Sequence, residues 1–347
     1  MKILLGLSGG VDSTYAALKL KNEGHEVEGA VVLMHPYTDI SGAERSASEL
    51  GIRLHVIDAA SAFENTVCRN FVSEYINGRT PNPCIICNRE VKFRYLCDYA
   101  REHGFDAVAT GHYAEVCSVT DGLATRYYVA PAKDSAKDQS YMLSRLSQDV
   151  LSMLILPMSG EIKSDIYEAA RKVGLSSADK PESQEICFIP DGKYTDYIEK
   201  RAGACARGNF VDREGRVLGE HKGIIHYTVG QRKGLEIALG KRVFVTDIDS
   251  EKNTVTLEDA PALSDTVYVE DIVFSKIAPP KEPAEFKLAV KLRYLAKLKE
   301  AAVTVYPDGR AIVRLCEPQP SVTPGQSAVF YDADGCVFSG IIVKKHS

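Results

Sequence analysis

Ser8-Gly9-Gly10-Val11-Asp12-Ser13 is the stretch that decides the fold of this 347-residue chain. It follows the apolar run 3–7 (ILLGL), which predicts a buried strand, and it precedes the run 14–20 (TYAALKL), which predicts a helix. A strand, a tight glycine turn and a helix start together present backbone N–H groups to an anion, most simply a phosphate. Glycine lets the backbone approach such a ligand closely. The stretch therefore predicts a phosphate site at the end of the first strand.

The side chains of this loop indicate which kind of phosphate site it is. The turn lacks the lysine of the kinase-type loop, Gly-x-x-x-x-Gly-Lys-Ser/Thr. It resembles the loop of enzymes that split ATP into AMP and pyrophosphate, which implies ATP and Mg²⁺ as cofactors. Ser8 and Ser13 can add hydroxyl donors, and Asp12 can hold a metal ion or cap the helix. The alternative is an ordinary glycine-rich turn between a strand and a helix.

Length and composition indicate a globular protein of two or three domains. The chain is 45% hydrophobic and 26% charged, and no apolar run approaches the length of a membrane span. We expect no membrane partner. The start of the chain leads directly into a strand without a visible targeting segment, and its nine cysteines indicate a reducing, cytoplasmic location. The net charge of −5 does not by itself indicate a nucleic-acid binder, but a local basic face would be enough.

The first part of the chain alternates predicted strands and helices. This order predicts an α/β domain with a doubly wound parallel sheet, in which ligands bind beyond the carboxyl ends of the strands. Further strands are predicted at 27–34, 53–58 and 107–110, and helices at 43–50, 63–75 and 90–103. The phosphate loop and Thr110-Gly111-His112-Tyr113 both follow predicted strands.

Three domains are predicted. Residues 1–203 form the ATP-binding catalytic domain with a helical extension, in which helices are predicted at 141–156 and 164–173. Short strands and frequent turns then predict a small β-rich domain at 204–268 and a C-terminal β-barrel at 269–347.

Two cysteine motifs carry the second part of the chemistry. Thr80-Pro81-Asn82-Pro83-Cys84-Ile85-Ile86-Cys87-Asn88 contains prolines and asparagines that disfavour a regular helix, so we expect a stiff loop before a helix from Asn88. A thiol near a helix N-terminus is expected to have a lowered pKa. The stretch 183–189 (SQEICFI) supplies Cys187. A zinc site would need a second Cys/His pair at metal spacing, and the sequence offers none. Most other cysteines are expected to be buried structural thiols.

Several motifs, in order along almost the whole chain, resemble the tRNA 2-thiouridylase (MnmA) family. They are Gly-Arg-Thr-Pro-Asn-Pro at 78–83, Cys87-Asn88, Thr110-Gly111-His112-Tyr113, Lys137-Asp138-Gln139-Ser140-Tyr141, Ile186-Cys187-Phe188-Ile189, the run 226–235 (HYTVGQRKGL) and the run 323–331 (TPGQSAVFY). The resemblance implies that ATP adenylates O2 of the wobble uridine of certain tRNAs. A cysteine persulfide then delivers sulfur to C2 while AMP leaves. It also implies a sulfur-donor protein or a sulfide source as a partner.

The resemblance assigns roles to particular residues. It implies Cys87 as nucleophile, Cys187 as the persulfide cysteine and Asp12 as a catalytic residue on the ATP phosphates. The implied ATP contacts are Gly6, Leu7, Ser8, Gly9, Gly10, Val11, Asp12, Ser13, Val32 and Gly111. The implied RNA contacts are Asn82, Pro83, Cys84, His112, Lys137, Asp138, Gln139, Arg293, Tyr294 and Gln326.

One position departs from the family pattern. The expected motif is Asn-Pro-Asp-x-x-Cys, and Cys84 stands where the aspartate is expected. Two routes for sulfur follow. In one, a persulfide relay uses Cys187 and Cys87 with Cys84 as a bystander. In the other, Cys84, Cys87 and Cys187 hold a [4Fe–4S] cluster with one iron open to sulfide. The relay is the favoured hypothesis, and either route requires the three cysteines to converge.

Two other functions and two structural alternatives remain open. A different ATP pyrophosphatase, such as an amide-forming ligase, would share the loop but would not need paired cysteines. A non-catalytic RNA-binding relative would be expected to have a degraded phosphate loop. His112 could simply be a packed loop histidine. Lys287, Lys291 and Arg293 share one face of a predicted strand, which could contact phosphates or merely face solvent.

Overall fold

The protein folds into an α/β domain, a small β-rich domain and a β-barrel. A computed structural model describes residues 1–122, 124–179 and 186–345. The strands, in chain order, are β1 (Lys2–Gly6), β2 (Glu26–Leu33), β3 (Leu54–Asp58), β4 (Ala107–Thr110), β5 (Ala114–Asp121), β6 (Ala124–Pro131), β7 (Leu154–Ile155), β8 (Gly208–Val211), β9 (Val217–His221), β10 (Phe244–Asp249), β11 (Thr254–Glu258), β12 (Leu263–Phe274), β13 (Ala284–Lys291), β14 (Lys299–Val305), β15 (Ala311–Pro320), β16 (Ser327–Tyr331) and β17 (Cys336–Val343).

The helices belong to the first domain. They are α1 (Val11–Asn22), α2 (Ile40–Leu50), α3 (Ala60–Phe63), α4 (Arg69–Ile76), α5 (Pro83–Cys87), α6 (Phe93–Glu102), α7 (Ser140–Leu143), α8 (Gln148–Leu151), α9 (Lys163–Lys172) and α10 (Tyr194–Ala202). Two π-helical turns, Glu64–Cys68 and Asn88–Lys92, join α3 to α4 and α5 to α6, and short 3-10 turns span Ser176–Asp179 and Ile224–His226. Within the described ranges, no helix combines the length and apolar character needed to cross a membrane.

The central sheet has the strand order β3-β2-β1-β4-β7, and each neighbouring pair is parallel. Alternate side chains point to opposite faces of such a sheet. Ile3 and Leu5 pack with α1, α2 and α9 on one face, whereas Leu4 packs on the other face with Phe63 and Phe93. Because the chain leaves β1 toward β2 on one side and β4 lies on the other side, a crevice opens at the carboxyl ends of β1 and β4. This crevice positions the candidate site.

The remaining strands form two further units. Strands β10-β11-β8-β9 make a four-stranded sheet, and β12-β15-β14-β13-β16-β17 make a closed barrel. The predicted fold class, a doubly wound parallel sheet followed by a small β-rich domain and a C-terminal barrel, is confirmed. The first barrel strand runs from Leu263 to Phe274, across the position predicted as the 268/269 domain boundary.

One predicted helix is wrong. The segment predicted as a helix over 141–156 contains the short helices α7 and α8 and the strand β7. The side chain of Ser147 accepts a hydrogen bond from the backbone N–H of Val150 at 3.4 Å, which caps a new helix in the middle of the segment. Leu154 and Ile155 then pair with β4 and extend the sheet. The helix predicted over 164–173 is observed as α9.

Candidate active site

The phosphate loop is built by glycines and serines at the end of β1. Gly9 has a φ of +73°, and a Cβ at this position would lie 2.2 Å from the carbonyl carbon of Gly42. Gly10 is the N-cap of α1, and its carbonyl accepts the Ser13 hydroxyl at 3.1 Å. The backbone N–H of Ser8 donates to that same hydroxyl oxygen at 3.2 Å. The predicted strand, glycine turn and helix are therefore all present, and the serines brace the turn from inside.

Asp12 lies in the first turn of α1 and is held by two partners. The ammonium of Lys163 lies 2.5 Å from its Oδ2, and the hydroxyl of Tyr113 donates to its Oδ1 at 2.7 Å. Lys163 is only 8% exposed, and its ammonium also lies 5.5 Å from the ring centroid of Tyr167. Lys163 is a site residue that the sequence did not predict. It opens α9, about 150 residues from the loop in sequence, and no motif marks it.

Gly111 closes the crevice from the β4 side. A Cβ at this position would lie 2.7 Å from the backbone nitrogen of Ser13 and 2.8 Å from the carbonyl carbon of Asp12. Only a glycine therefore lets the turn after β4 lie this close to the phosphate loop. Val32, another predicted ATP contact, lies on the neighbouring strand β2 and is 7% exposed. Leu7 is 1% exposed and packs in the apolar core, so any contact from it to a ligand is through its backbone.

His112 is anchored next to this glycine. Its Nδ1 and the Thr110 hydroxyl are 2.8 Å apart, and its ring packs 5.5 Å from the Phe93 ring. Burial, together with the positive charge of Lys92, lowers the pKa of His112 to about 3. The imidazole is therefore neutral at physiological pH and can contact a base as a hydrogen-bonding group rather than as a cation.

The Cys-x-x-Cys motif lies on a helix, so the predicted loop is wrong. Asn82 is the N-cap, and its side-chain oxygen accepts the backbone N–H of Ile85 at 3.4 Å. Pro83 occupies the first helical position, where the missing N–H costs nothing and the fixed φ suits a helix. From here α5 continues through the π-turn Asn88–Lys92 into α6. The prolines and asparagines that argued against a helix are in fact its start signal.

The three candidate thiols differ in exposure. Cys87 is buried at 6% exposure, with its Sγ 3.4 Å from the Met34 sulfur, whereas Cys84 and Cys187 are exposed. Cys187 lies in a turn with Phe188, and residues 183–185 of the predicted motif lie outside the described residues. All nine cysteines are free thiols.

The expected lowering of the thiol pKa is also wrong. Burial raises the pKa of Cys87 to about 11. Cys84 and Cys187 reach the surface, but the surrounding protein atoms still desolvate their sulfurs. This desolvation raises the pKa of Cys84 and, together with the neighbouring charges of Cys87 and Cys84, raises the pKa of Cys187 to about 11. Lys92 acts against this shift at each of these thiols. Desolvation therefore outweighs the favourable helix N-terminus.

The three thiols do not lie at the spacing of metal ligands. Across residues 1–122, 124–179 and 186–345, no group of three Cys, His, Asp or Glu side chains is arranged to hold a metal ion. The expected convergence of the sulfurs to ligand distance is thus not observed. The donor chemistry of Cys84, Cys87 and Cys187 would suit an iron–sulfur cluster, but their arrangement does not, and we derive no step through one.

The residues implied as RNA contacts fall into two groups. The first group lies beside the crevice. The carboxylate of Asp138 accepts the Ser140 backbone N–H at 3.0 Å, and the side chain of Gln139 accepts the Tyr113 N–H at 2.9 Å. Lys137 precedes them, and its backbone N–H donates to the Asp134 carbonyl at 3.0 Å. The Gln139 contact ties this segment to the turn that carries His112, whereas the contacts of Lys137 and Asp138 are local.

The second group comes from the barrel. The Gln326 side chain donates to the Thr80 carbonyl at 2.7 Å, next to the start of the cysteine helix. Arg293 is only partly exposed. Its Nη2 donates to the carbonyls of Val229 and Ser321 at 3.1 and 3.0 Å, and also to the Thr323 hydroxyl. Arg293 therefore joins the small β-rich domain to the barrel.

Tyr294 follows Arg293 and is half-buried beside the Tyr141 ring, at 6.0 Å between centroids. Burial raises the pKa of Tyr294. Lys287 is exposed on β13, and Lys291 lies at the end of that strand.

Comparison with known protein families covers each unit in turn. Residues 1–191 match the family described as tRNA methyl transferase HUP domain. Residues 195–259 match tRNA methyl transferase PRC-barrel domain, and residues 264–342 match Aminomethyltransferase beta-barrel domain.

Curated relatives match nearly the full chain. The tRNA-specific 2-thiouridylase MnmA of Clostridium acetobutylicum is 40% identical over 360 residues, which covers 98% of this chain and 99% of that protein. The protein of the same name from Acetivibrio thermocellus is 42% identical over 358 residues, with coverage of 98% and 99%.

Solved structures match only in part. A 4-thiouridine synthetase–RNA complex with bound ATP is 21% identical, with a TM-score of 0.35 over 57% of this chain and 50% of that chain. NMN synthetase from Francisella tularensis is 19% identical, with a TM-score of 0.36 over 58% of this chain and 76% of that chain.

Proposed function

The chain belongs to the family of tRNA-specific 2-thiouridylases (MnmA), and we propose that it converts the wobble uridine of tRNA to 2-thiouridine with ATP. The observation that carries the proposal is a single site in which two motifs meet at one sheet edge. Gly111 closes the phosphate loop at the carboxyl ends of β1 and β4. At the carboxyl end of the neighbouring strand β2, the Cys87 sulfur lies 3.4 Å from the sulfur of Met34, the residue after that strand. One motif suits activation by ATP and the other suits sulfur transfer.

In the first half-reaction, O2 of the uridine attacks the α-phosphorus of ATP and pyrophosphate leaves. The uracil oxygen is a poor leaving group, and bonding it to AMP makes it a good one. The loop 6–13 and Gly111 are proposed to bind ATP, with Val32 beside them. Mg²⁺ would neutralise charge on the phosphates, and Asp12 is the residue placed to hold it. Lys163, now paired with Asp12, is a buried cation at the same edge and can stabilise the charge that develops on the phosphates.

In the second half-reaction, the terminal sulfur of a Cys187 persulfide attacks C2, and AMP leaves with the former O2. Cys87 then attacks the Cys187 sulfur, which releases the thiocarbonyl and forms a Cys87–Cys187 disulfide. Two external thiol groups then reduce that disulfide and become a disulfide themselves. Cys87 is buried, which shields its own sulfur from water, and Lys92 favours the thiolate that each sulfur step needs.

The proposed partners are tRNA and a sulfur source. A donor protein would pass on its own persulfide sulfur, whereas sulfide would attack the Cys187 sulfur of the Cys87–Cys187 disulfide, which gives the Cys187 persulfide and frees the Cys87 thiolate. RNA contacts are proposed for Asn82, Pro83, Cys84, His112, Lys137, Asp138, Gln139, Arg293, Tyr294 and Gln326. A cytoplasmic location is proposed because all nine cysteines are free thiols and because tRNA is the proposed substrate. The functional units are proposed as 1–203, 204–268 and 269–347, with the barrel strand β12 reaching back to Leu263.

Two measurements test the proposal. Mass spectrometry of tRNA from a deletion strain should lose 2-thiouridine at the wobble position, and the purified protein should release pyrophosphate only when tRNA is present. Unchanged 2-thiouridine, in a strain without a second such enzyme, would reject the function. Pyrophosphate release with a small amine or amide donor, and no need for tRNA, would instead indicate an amide-forming ligase.

A further inference from the structure

A basic groove lies in the small β-rich domain, outside the site described above. We call it the central groove. Its volume is about 620 Å³, and it is lined by Arg232 and by the segments 234–238 and 241–243. Its charged lining residues are Arg232, Glu236, Lys241 and Arg242. Lys233, next to Arg232, is exposed.

The charges of the central groove favour an anion. Lys222 lies 2.7 Å from Glu236, and Lys241 lies 2.7 Å from Asp259, so both carboxylates already have cationic partners. In the part of the chain that the structure describes, Arg232, Lys233 and Arg242 enter no ion pair. These five cations and two carboxylates give a local charge of +3 in a chain whose net charge is −5. Exposed arginines without carboxylate partners are suited to bidentate contact with phosphate oxygens.

The groove is connected to the cysteine helix by a short path. The hydroxyl of Thr228, four residues before Arg232, hydrogen-bonds the hydroxyl of Thr80 at 3.1 Å, and Thr80 lies four residues before Cys84. Four extended residues span at most ~14 Å, so Arg232 and Cys84 lie within about 35 Å of each other. Their separation is therefore no longer than about one turn of a nucleic-acid double helix.

We propose that the central groove binds phosphates of the helical stem that carries the target loop of the tRNA, through Arg232 and Arg242. The inference rests on the proposed function and extends it to a contact outside the active site. A base held beside Cys84 puts the adjoining stem within reach of the groove. The contact is to the phosphate backbone, so it strengthens binding without reading the sequence.

The test is a salt titration of tRNA binding. Arg232→Gln/Arg242→Gln removes two cations from the groove, and Arg213→Gln/Lys252→Gln removes two exposed cations from other turns of the same domain as a matched control. In a plot of log K for tRNA association against the logarithm of the salt concentration, the slope of the groove variant should be smaller in magnitude than that of the wild type by about 1.5. This corresponds to roughly 15-fold weaker binding at 0.15 M salt, if the electrostatic contribution vanishes near 1 M. The control variant should match the wild type.

The remaining outcomes each decide the matter. Pyrophosphate release and thiolation at saturating tRNA should survive in the groove variant, which separates this contact from the chemistry. An unchanged slope, or an equal loss in the control variant, overturns the proposal. The proposal is also overturned if the groove variant keeps the wild-type salt slope of tRNA binding and still uses free sulfide but no longer accepts sulfur from a donor protein. The groove would then be the docking site of that protein. A wild-type chain that binds no tRNA rejects the proposed function itself.

Discussion

Replacing Gly111 with alanine tests how closely the phosphate loop must be held. The new Cβ would lie 2.7 Å from the backbone nitrogen of Ser13 and 2.8 Å from the carbonyl carbon of Asp12. Ordinary van der Waals contact begins near 3.4 Å, so the loop and the turn after β4 must separate by about 0.7 Å. Both contacts are to backbone atoms, which cannot rotate away as a side chain can.

The magnitude follows from that displacement. A shift approaching 1 Å in the groups that position a reacting phosphate costs about a hundredfold in rate. We expect Gly111→Ala to lower kcat for tRNA-dependent pyrophosphate release by about that factor and to raise KM for ATP. Binding of tRNA should persist through the proposed contacts that lie away from this turn, at Arg293, Tyr294 and Gln326.

The assay is pyrophosphate release at saturating tRNA, with thermal unfolding followed in parallel. Gly160→Ala is the matched control, since a Cβ there meets no atom within 4 Å. A Gly111→Ala enzyme with wild-type kcat and KM would refute the reasoning that this turn fixes the loop. A large loss of folded protein in both variants would show that the effect is not local.

Three further predictions concern the charges and thiols of the site. Asp12→Asn and Lys163→Met should each lower the rate of pyrophosphate release about 10²–10³-fold while tRNA binding persists. Because the two groups act as a pair, the double variant should lose far less activity than the two single losses combined, and additive losses would contradict this. Cys87→Ser and Cys187→Ser should each stop formation of 2-thiouridine and leave pyrophosphate release intact. Cys84→Asp should retain thiolation as an iron-free enzyme. The relay would be rejected if thiolation, measured after anaerobic purification, depends on iron and is lost in Cys84→Asp. Because the pKa of Cys87 is raised to about 11, its thiolate fraction grows about tenfold per pH unit below that value. The rate of thiolation in single turnovers should therefore rise steeply from pH 7 to 9. A flat pH profile would mean that Cys87 does not act as a thiolate in the slow step.

Local signals in the sequence were enough to predict the scaffold of the site. The glycines of the phosphate loop are required by backbone geometry, as Gly9 with its positive φ demonstrates, and such a requirement is visible in sequence. The alternation of apolar strands with helices likewise identified the parallel sheet, since period and order are local properties. The position of Gly111 at the end of β4 followed from that order.

Properties that depend on burial or on distant partners were not predictable. The helix dipole argument for Cys87 was locally correct, but burial decides the direction of its pKa shift, and burial is set by the packing of the whole domain. Lys163 reaches Asp12 only because α9 packs against α1. Arg293 belonged to a basic stripe in the sequence, yet its guanidinium is engaged by carbonyls from two domains.

Thr80 explains how the domains control the position of the cysteines. Its backbone N–H donates to the Pro324 carbonyl at 2.9 Å, and its carbonyl accepts the Gln326 side chain at 2.7 Å. Its hydroxyl bonds Thr228 of the small β-rich domain at 3.1 Å. Every polar group of Thr80 is therefore satisfied by another domain, two residues before the N-cap of the cysteine helix. The start of the cysteine helix, and with it Cys84, is therefore held in place by contacts to both β domains and not by its own domain alone.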